Sequence, residues 1–473
     1  MVVRGVPHRL MRDGWWLDDE IAPPKWKLGG LLCLCVILAD QMMWAAGAGL
    51  GFVVWVLGIG LAVHVTLWAD VVRARGLRAW AVLVISVIPA IDLVQAASVS
   101  IALIGLCGFA LYLALGRWDV GVLIHAMMRL PFVGGAQNLR DLRTLGQAAP
   151  TKASFRQAVL DWAFPLGAGA VFVALIVYAN PVLDQWLMQV SSLDGGISVN
   201  PWQVFFWALV ASSVWPLLRL TKIGKALGKQ HVLRRVSFQP FWLNPRSVLR
   251  ALLVFNLIFG AQTLMDIGYL WGGVALPEGM TYANYAHRGA YPLMIAALLA
   301  GAFALIAGAF LDKQPHVRSL MYLWVGQCVF LVVSSILRLD LYVDAYGLTR
   351  MRFAAIVWMI VVALGLLLII MQIAGRYHVG WFAARAAGLA LLAVYAVSLI
   401  NVDGVIARHN LGAQKIDSHY LCSLGDGATP ALVAAQHPCG FHRRQVSVPE
   451  DWREWGYRNA RLRRSLTQME NVQ

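Results

Sequence analysis

The chain has 473 residues, of which 59% are hydrophobic and only 13% are charged, and it contains 20 Trp and has a net charge of +15. A soluble domain of this composition would aggregate, so the composition excludes one and indicates a membrane protein. The basic residues are spread through short segments beside apolar runs instead of forming one stripe. This distribution argues against nucleic acid as a partner and favours anionic lipid headgroups.

Apolar runs close to the ~20 residues that cross a bilayer follow one another along the chain. They lie at Leu28–Trp44, Ala48–Trp68, Trp80–Gln95, Val99–Leu115, Phe164–Trp186, Trp202–Leu218, Leu249–Leu270, Ala290–Leu311, Leu320–Leu337, Phe353–Ile373 and Ala386–Ile400. The first run lacks the cleavage site of a signal peptide and is interpreted as a span. The predicted fold class is all-α, a polytopic transmembrane helix bundle of about 11 spans. A cytoplasmic N-terminal arm at 1–27 precedes the bundle at 28–400, and a helical tail follows at 401–473.

The Lys and Arg residues of the connecting segments fall almost entirely on one side. Segments 1–27, 70–79, 117–163, 217–250, 312–319 and 376–385 hold 26 of them, whereas the alternate loops hold only Arg288, Arg338, Arg350 and Arg352. By the positive-inside rule the N-terminus is cytoplasmic and the tail is periplasmic, which predicts a multi-pass protein of the bacterial inner (cytoplasmic) membrane. The cytoplasmic segments 117–163 and 219–250 are long enough for amphipathic surface helices but too short for an enzyme domain.

Several acidic residues fall toward the outer ends of the predicted spans. An acid placed inside a bilayer costs about 2.5–3.5 kcal/mol on insertion scales and usually faces the protein interior or a wet cavity. For Asp40 and Asp184 a position among the lipid headgroups is the simpler interpretation. Asp266 lies farther inside its span and is the stronger functional candidate.

Two predicted outer loops, at 282–292 and 338–352, concentrate hydrogen-bonding and charged groups. Together with Asp266 they predict a ligand pocket that comprises Asp266, Tyr282, Asn284, Tyr285, His287, Arg288, Tyr291, Arg338, Asp340, Tyr346 and Arg352. His287 would be able to titrate near neutral pH. The sequence supports equally an interfacial aromatic belt in which Arg–Asp pairs tie the outer loops together.

Four segments resemble a known family. TYANYAHRGAYPL at 281–293, LRLDLYVDAYGLTRMR at 337–352, Ala179-Asn180-Pro181 and INVDGVIARHN at 400–410 are similar to bacterial polytopic membrane proteins known only as a domain of unknown function. The resemblance extends from the first span to the WREW segment at 452–455. It implies an inner-membrane protein with no assigned reaction and transfers no catalytic residue. Residues 434–441 depart from the family pattern, so the resemblance does not extend to a disulfide.

The six cysteines divide by compartment. Cys33, Cys35, Cys107 and Cys328 lie within predicted spans, where a thiol behaves as a small apolar group. Cys422 and Cys439 lie in the tail, and an oxidising periplasm would join them in a disulfide.

No sequence pattern indicates a metal site or a bound cofactor. The chain has no P-loop, no paired zinc histidines and no nucleophile elbow, so we predict neither a metal site nor a bound cofactor.

In the tail, Trp452, Trp455, Leu462 and Leu466 recur at helical spacing against arginines. This pattern predicts a helix that lies on the outer leaflet or against the bundle.

Two functions remain open on the sequence alone. In the first, the pocket binds a small molecule, ion or lipid headgroup for sensing or transport. In the second, His287 acts with Asp266 or Asp340 as acid and base in a membrane-embedded enzyme, Arg288 stabilising an anion of a lipid-linked or envelope substrate. The first is favoured, and the absence of a convincing internal repeat favours sensing or structural support over transport. The expected partners are the lipid bilayer and, beyond it, envelope or signalling proteins.

The loop charges make a direct prediction about orientation. Alkaline phosphatase fused after Asn401 should be active, because the enzyme folds only outside the cytoplasm and the charge distribution places the tail there. The measurement is phosphatase activity in intact cells. An inactive fusion after Asn401 together with an active fusion after Arg235 would reverse the orientation.

Overall fold

The computed structural model of the chain describes residues 25–44, 46–47, 49–67, 73–116, 120–147, 200–221, 244–272, 282–308, 315–413, 417–442 and 448–470. Within these ranges the protein is helical and contains no strand, which confirms the predicted fold class. The helices are α1 (Lys25–Ala39), α2 (Leu50–Leu67), α3 (Arg73–Asp92), α4 (Ala96–Leu115), α5 (Val120–Gln147), α6 (Pro201–Leu218), α7 (Pro245–Asp266), α8 (Tyr282–Ala307), α9 (Pro315–Tyr346), α10 (Arg350–Ala374), α11 (Val379–Leu399), α12 (Val402–Leu411), α13 (Ser418–Ser423), α14 (Thr429–Ala434), α15 (Pro438–His442) and α16 (Tyr457–Glu470). Single π-helical turns extend α1 to Trp44 and α7 to Trp271.

Nine of the described helices are long and apolar enough to cross a bilayer. They are α1 with its π turn, α2, α3, α4, α6, α7 with its π turn, α9, α10 and α11. Large apolar side chains remain exposed along them, among them Leu257 and Leu264, which are 75% and 71% exposed. Apolar surface of this extent indicates a lipid environment, so the chain is a membrane protein.

The span count and the orientation stay predictions. The predicted span Phe164–Trp186 lies outside the described residues, and so does part of Ala290–Leu311. The latter overlaps α8, whose described apolar part is Ile295–Ala307. The 28-residue helix α5 lies in the segment predicted to form an amphipathic helix, and it is not among the nine.

The chain divides into two compact units, and the first comprises residues 1–85, 105–118 and 122–229. Within it, α1 packs against α2 and α6. Asp40 starts the π turn after α1, and its Oδ1 accepts hydrogen bonds from Gln203 Nε2 at 2.6 Å and Trp207 Nε1 at 2.9 Å. This carboxylate, for which a headgroup position was the simpler interpretation, is thus bound by side chains of α6.

The second unit comprises residues 86–104, 119–121 and 230–473, and its core lies where α7, α8, α9 and α10 meet. Trp324 of α9 is the centre of an aromatic cluster there. Its ring stacks on Phe255 with 5.1 Å between centroids and meets Phe259 and Phe303 edge-on. Buried alanines on α8, such as Ala297 and Ala300, allow close approach of the helices, as small residues do in membranes.

Helices α12 to α15 form a small layer, which we call the cap, on the ends of α9 and α10. The cap core joins Val343 and Leu348 of the α9–α10 region to apolar cap residues, which are Ile406, Ala407, Leu421, Leu424, Ala428 and Leu432. Asp417 accepts a hydrogen bond from the Tyr420 backbone N–H at 3.0 Å and so caps α13. Full burial of a Leu contributes about 1.5–3 kcal/mol, so these contacts hold the cap firmly to α9.

A single asparagine of the cap holds the turn between α9 and α10. Asn410 Oδ1 accepts from the Leu348 backbone N–H at 2.6 Å, and its Nδ2 donates to the Leu348 carbonyl at 2.9 Å. Gly347, at φ +75°, lies against this amide, and a Cβ there would come within 3.1 Å of Asn410 Oδ1. The turn therefore needs both the conformational freedom of glycine and the amide of Asn410.

Both predicted outer loops are helical except for the turn at 347–349, which corrects the sequence interpretation. The span predicted to end at Leu337 continues as α9 to Tyr346, and the segment from Tyr282 forms the first turns of α8. A helix that leaves the bilayer keeps its own backbone hydrogen bonds, and α9 also gains a packing surface there because Val343 is buried under the cap. Arg338, Asp340 and Tyr346 therefore lie on a helix.

The predicted disulfide between Cys422 and Cys439 is present and joins α13 to α15. It closes a loop of 17 residues, for which chain entropy predicts a stabilisation of roughly 3 kcal/mol. Cys33, Cys35, Cys107 and Cys328 are free thiols in helices.

The helix predicted from the Trp452 pattern is shorter than expected. It begins at Tyr457 as α16, and Trp452 starts a separate 3-10 turn.

Replacing Asn410 by Ala should destabilise the cap. The change leaves the Leu348 N–H and carbonyl without their buried partner, and a buried unsatisfied group costs about 1–3 kcal/mol. The measurement is thermal unfolding of the purified protein in detergent. His409→Ala removes an exposed side chain beside it and is the matched control. Equal melting temperatures of the two variants would show that the hydrogen bonds of Asn410 to Leu348 do not stabilise the cap.

Candidate functional site

An ion pair is buried between α7 and α9. Arg338 Nη2 donates to Asp266 Oδ1, and the two side chains are 3% and 0% exposed. Gln262, one turn earlier on α7, donates from Nε2 to the same carboxylate at 2.9 Å. Both helices are among those able to span a bilayer. Charges in such a segment lose their water and require a partner within the protein, and here each supplies the other.

The α9 surface beside this pair is polar and buried. Ser334 and Ser335, one turn before Arg338, are fully buried. Trp271 of the π turn after α7 donates from Nε1 to Ser334 Oγ at 3.3 Å, and Ser335 Oγ donates to the Leu331 carbonyl at 2.8 Å. Together with Gln262 these groups form a polar layer between α7 and α9.

Arg352 contacts the C-terminal end of α9, away from Arg338. Its guanidinium donates to the Tyr346 carbonyl at 2.9 Å and to the Gly347 carbonyl, and it lies 4.4 Å over the ring of Tyr342. It thereby satisfies carbonyl groups at the end of α9 that lack helical partners. Tyr346 lies eight residues beyond Arg338, which is about 12 Å along a helix. Arg352 thus belongs to the end of α9, while Arg338 belongs to the polar layer.

The remaining predicted pocket residues divide into two groups. Asp340 and Tyr346 are placed on α9, where Asp340 is exposed and Tyr346 is 58% exposed. The α8 residues lie on a described helical backbone that packs along α9, but their side chains lie outside the described residues. These are Tyr282, Asn284, Tyr285, His287, Arg288 and Tyr291. The meeting of His287 with Asp266, Asp340 and Arg352 therefore stays a prediction.

A second ion pair ties the cap to α10. Arg350, the first residue of α10, donates from Nε and Nη2 to the two oxygens of Asp403 at 2.7 and 2.8 Å. Asp403 also accepts from the Gly425 N–H at 3.0 Å, and the Arg350 N–H donates to the Tyr420 hydroxyl at 2.9 Å. Asp403 lies in the family-like segment 400–410, but nothing in that segment predicts this ion pair.

A third pair, in the first unit, was not expected from the sequence. Arg219, just after α6, donates two hydrogen bonds of 3.0 Å to Asp141 of α5, and the side chains are 6% and 11% exposed. Trp215 Nε1 and Gln137 Nε2 donate to the same carboxylate at 3.0 and 2.8 Å. Burial opposes ionisation of Asp141, but the hydrogen bonds from Arg219, Trp215 and Gln137 outweigh it and hold the pKa of this carboxyl below its usual value.

One group of metal-ligand types is found among the described residues. A ring nitrogen of His437 and the sulfurs of Cys422 and Cys439 lie within 4.8 Å of one another. Because both sulfurs are joined in the disulfide, the group offers one ligand only, the imidazole. His437 Nε2 lies 3.3 Å from Ser418 Oγ and helps to hold α13 against the following segment.

Comparison with known proteins identifies one family. The model of the family described as a domain of unknown function, DUF4153, matches residues 51–435. The match covers most of the chain and confirms the resemblance seen in the sequence, although the first span and the WREW segment at 452–455 lie outside it. No curated protein and no solved structure matches the chain.

Asp141→Asn should destabilise the protein and weaken its response to acid. Because the pKa of Asp141 is lowered in the fold, the pair contributes stability above the unfolded carboxyl pKa of about 3.9 and loses it as pH falls through the folded pKa. At pH 7 the variant should lose about 3–5 kcal/mol, the usual cost of an uncompensated buried charge. Melting temperature against pH measures both effects.

Arg140→Gln is the matched control for this experiment. Arg140 precedes Asp141 on α5 and is exposed, so its removal should leave the melting curve unchanged. An Asp141→Asn variant as stable as the parent at pH 7 would mean that the pair does not hold α5 to α6.

Proposed function

Because the chain belongs to the DUF4153 family and is an integral membrane protein, we propose that it binds a small molecule, ion or lipid headgroup in a periplasm-facing polar pocket, for sensing or transport. The pocket comprises the polar layer around Asp266 and Arg338 together with the α8 residues around His287. Its setting is the bacterial inner membrane.

The buried Asp266–Arg338 pair carries this proposal. Desolvation of both groups costs several kcal/mol, and well-packed apolar residues in place of a buried pair often leave stability unchanged or improve it. Stability alone therefore gives little reason to place an ion pair between two spanning helices. Ionisable residues at such positions are usually found at binding sites and ion pathways. The neighbouring Ser334, Ser335 and Gln262 add the neutral hydrogen-bonding groups that orient a ligand.

The periplasmic orientation rests on the loop charges and is supported by the contacts of the second unit. The end of α9, the start of α10 and the end of α11 all contact the tail or continue into it. The loops that connect spans at this face carry few basic residues, and the nine Lys and Arg of the tail belong to a terminal segment. The segments rich in Lys and Arg connect the opposite ends, which the positive-inside rule assigns to the cytoplasm.

The connection between the polar layer and the cap favours sensing. Arg338 lies on α9, and the end of that helix is held by Asn410 and packed under the cap. A ligand that shifts α9 at Arg338 would therefore change the cap, which is accessible to soluble envelope or signalling proteins. Such coupling requires only that the ligand binds one arrangement of α9 more tightly than another.

The alternative, a membrane enzyme that uses His287 with an Asp, receives less support. Asp266 accepts hydrogen bonds from Arg338 and Gln262, so its carboxylate is already engaged. Asp340 is exposed on α9.

The experiment is a paired apolar replacement. Asp266→Leu with Arg338→Met removes both charges together, so no unpaired charge remains and the protein should fold with a similar melting temperature. If the pair binds a ligand, this variant should fail to complement a deletion strain under envelope stress. Single-particle density beside Arg338 in nanodiscs, present in the parent, should be absent in the variant.

The matched control is Asp141→Leu with Arg219→Met, which makes the same chemical change at a buried pair outside the proposed pocket. It should fold and complement. His287→Ala in the same assay tests whether α8 contributes to the pocket. Full complementation by the Asp266→Leu/Arg338→Met variant, with folding intact, would assign the pair a structural role and exclude the pocket.

A further inference from the structure

The first turn of α16 is attached to the ends of two spanning helices. Arg458 Nε donates to Asp92 Oδ2 at 2.9 Å, its Nη2 contacts the same oxygen, and Asp92 is the last residue of α3. The same guanidinium donates to the carbonyls of Ser398 at 2.8 Å and Ile400 at 3.2 Å, at the end of α11. The start of α16 therefore lies at the ends of two helices able to span a bilayer.

This attachment fixes the depth of the next arginines of α16. A helix rises 1.5 Å per residue, so Arg461 and Arg464 lie at most about 4.5 and 9 Å from Arg458 along the axis, whatever the tilt. The headgroup region on each side of a bilayer is roughly 5–7 Å thick. A charge acts over about 8–10 Å at physiological salt. Both guanidinium groups are thus within electrostatic reach of lipid phosphates.

The two faces of α16 differ in chemistry. Leu462 and Leu466 are buried, at 7% and 6% exposure, and pack against Val433 of α14. Arg461 and Arg464 are exposed. A shallow groove of about 520 Å³ runs along the helix and is lined by Trp455, Ala460, Arg463, Arg464, Thr467 and Gln468.

Exposed aromatic side chains lie near the start of α16. Trp452 and Tyr457 are 56% and 51% exposed just before and at the start of α16. Trp and Tyr favour the boundary between lipid and water, where an apolar ring meets a polar edge. Exposed aromatic rings beside arginines, at the level of span ends, match the chemistry of a phospholipid surface.

We propose that this groove binds the phosphate of an anionic phospholipid headgroup. Arg464, which lines the groove, and Arg461, exposed one turn earlier on α16, donate to phosphate oxygens, for which the planar guanidinium is well suited. Thr467 and Gln468 line the groove and supply neutral donors. Trp452 and Tyr457 lie against the glycerol region. The site uses residues different from the Asp266–Arg338 pocket, so it is independent of the proposed function.

A membrane lipid fits these observations better than a soluble anion. A soluble ligand would gain nothing from a helix fixed at the bilayer surface or from exposed aromatic rings beside it. A lipid gains from both, because its phosphate and its glycerol region lie at that level.

The experiment uses the full chain reconstituted in phosphatidylcholine liposomes with a trace of photoactivatable phosphatidylglycerol. Crosslinks mapped by mass spectrometry should concentrate on residues 452–468. Each arginine near an anionic surface contributes about fivefold in affinity, so Arg461→Gln with Arg464→Gln should lower labelling of this segment by about 25-fold. Photoactivatable phosphatidylcholine should label it no more than other exposed segments.

Arg453→Gln is the matched control, because Arg453 precedes the groove residue Trp455 by two positions and its charge is already paired with Asp451 at 2.6 Å. Its labelling should equal that of the parent, and all variants should share the parent melting temperature because the changed side chains are not in the buried core. Unchanged labelling in the double variant, or equal labelling by the two lipids, would overturn the proposal. Loss of labelling in excess inorganic phosphate would instead assign the groove to a soluble anion.

Discussion

A bilayer core offers no hydrogen-bond partner to a polar group, and this constraint accounts for much of the described structure. It forces the backbone into helices, which satisfy their own N–H and carbonyl groups. It also forces charged side chains near the spans to find partners within the protein. Asp266 forms an ion pair with Arg338, and Asp92 forms one with Arg458. Asp40 accepts two hydrogen bonds from side chains of α6.

The cap shows how a small appendage becomes part of such a bundle. Its core is continuous with the end of α9, and Asp403 joins it to the start of α10. The disulfide constrains α13 and α15, while Asn410 holds the turn between the two spans. These contacts differ in kind but all act at one end of the second unit. A movement of α9 would therefore be transmitted to the cap, because tightly packed helices move as rigid bodies and deform little.

The candidate site could be located from the sequence only in part. Asp266 and Arg338 were both recognised as candidates, because charges within or beside long apolar runs are conspicuous. Their pairing with each other was not evident, since they are 72 positions apart. Arg352 is predicted for the same pocket, and its guanidinium donates to carbonyls at the end of α9, an interaction that the sequence does not reveal. A count of charges does not reveal whether an arginine faces an acid or a helix end.

Other interactions were missed because their sequence signals are ordinary. Asp141 and Arg219 lie in segments interpreted as surface connections, where an isolated charge is expected to be solvated. Only the approach of α5 to α6 removes them from water. Asn410 and Asp403 stood in a segment quoted for its resemblance to the family, yet nothing in that string shows that one amide spans a turn 62 residues away.

The sequence by itself determined the fold class, the membrane environment, the family and the disulfide. The fold class and the membrane environment depend on composition and on the length of apolar runs, which the bilayer imposes on any chain that crosses it. The family follows from the resemblance of short segments, and the disulfide from two cysteines in a predicted periplasmic tail. The tertiary structure decided which charges meet, where α9 ends and how the tail is attached to the spans. These outcomes depend on the packing of helices far apart in the chain, because a side chain's partner is set by the surface against which its helix packs. Hydrophobic periodicity identifies a helix but does not specify that surface.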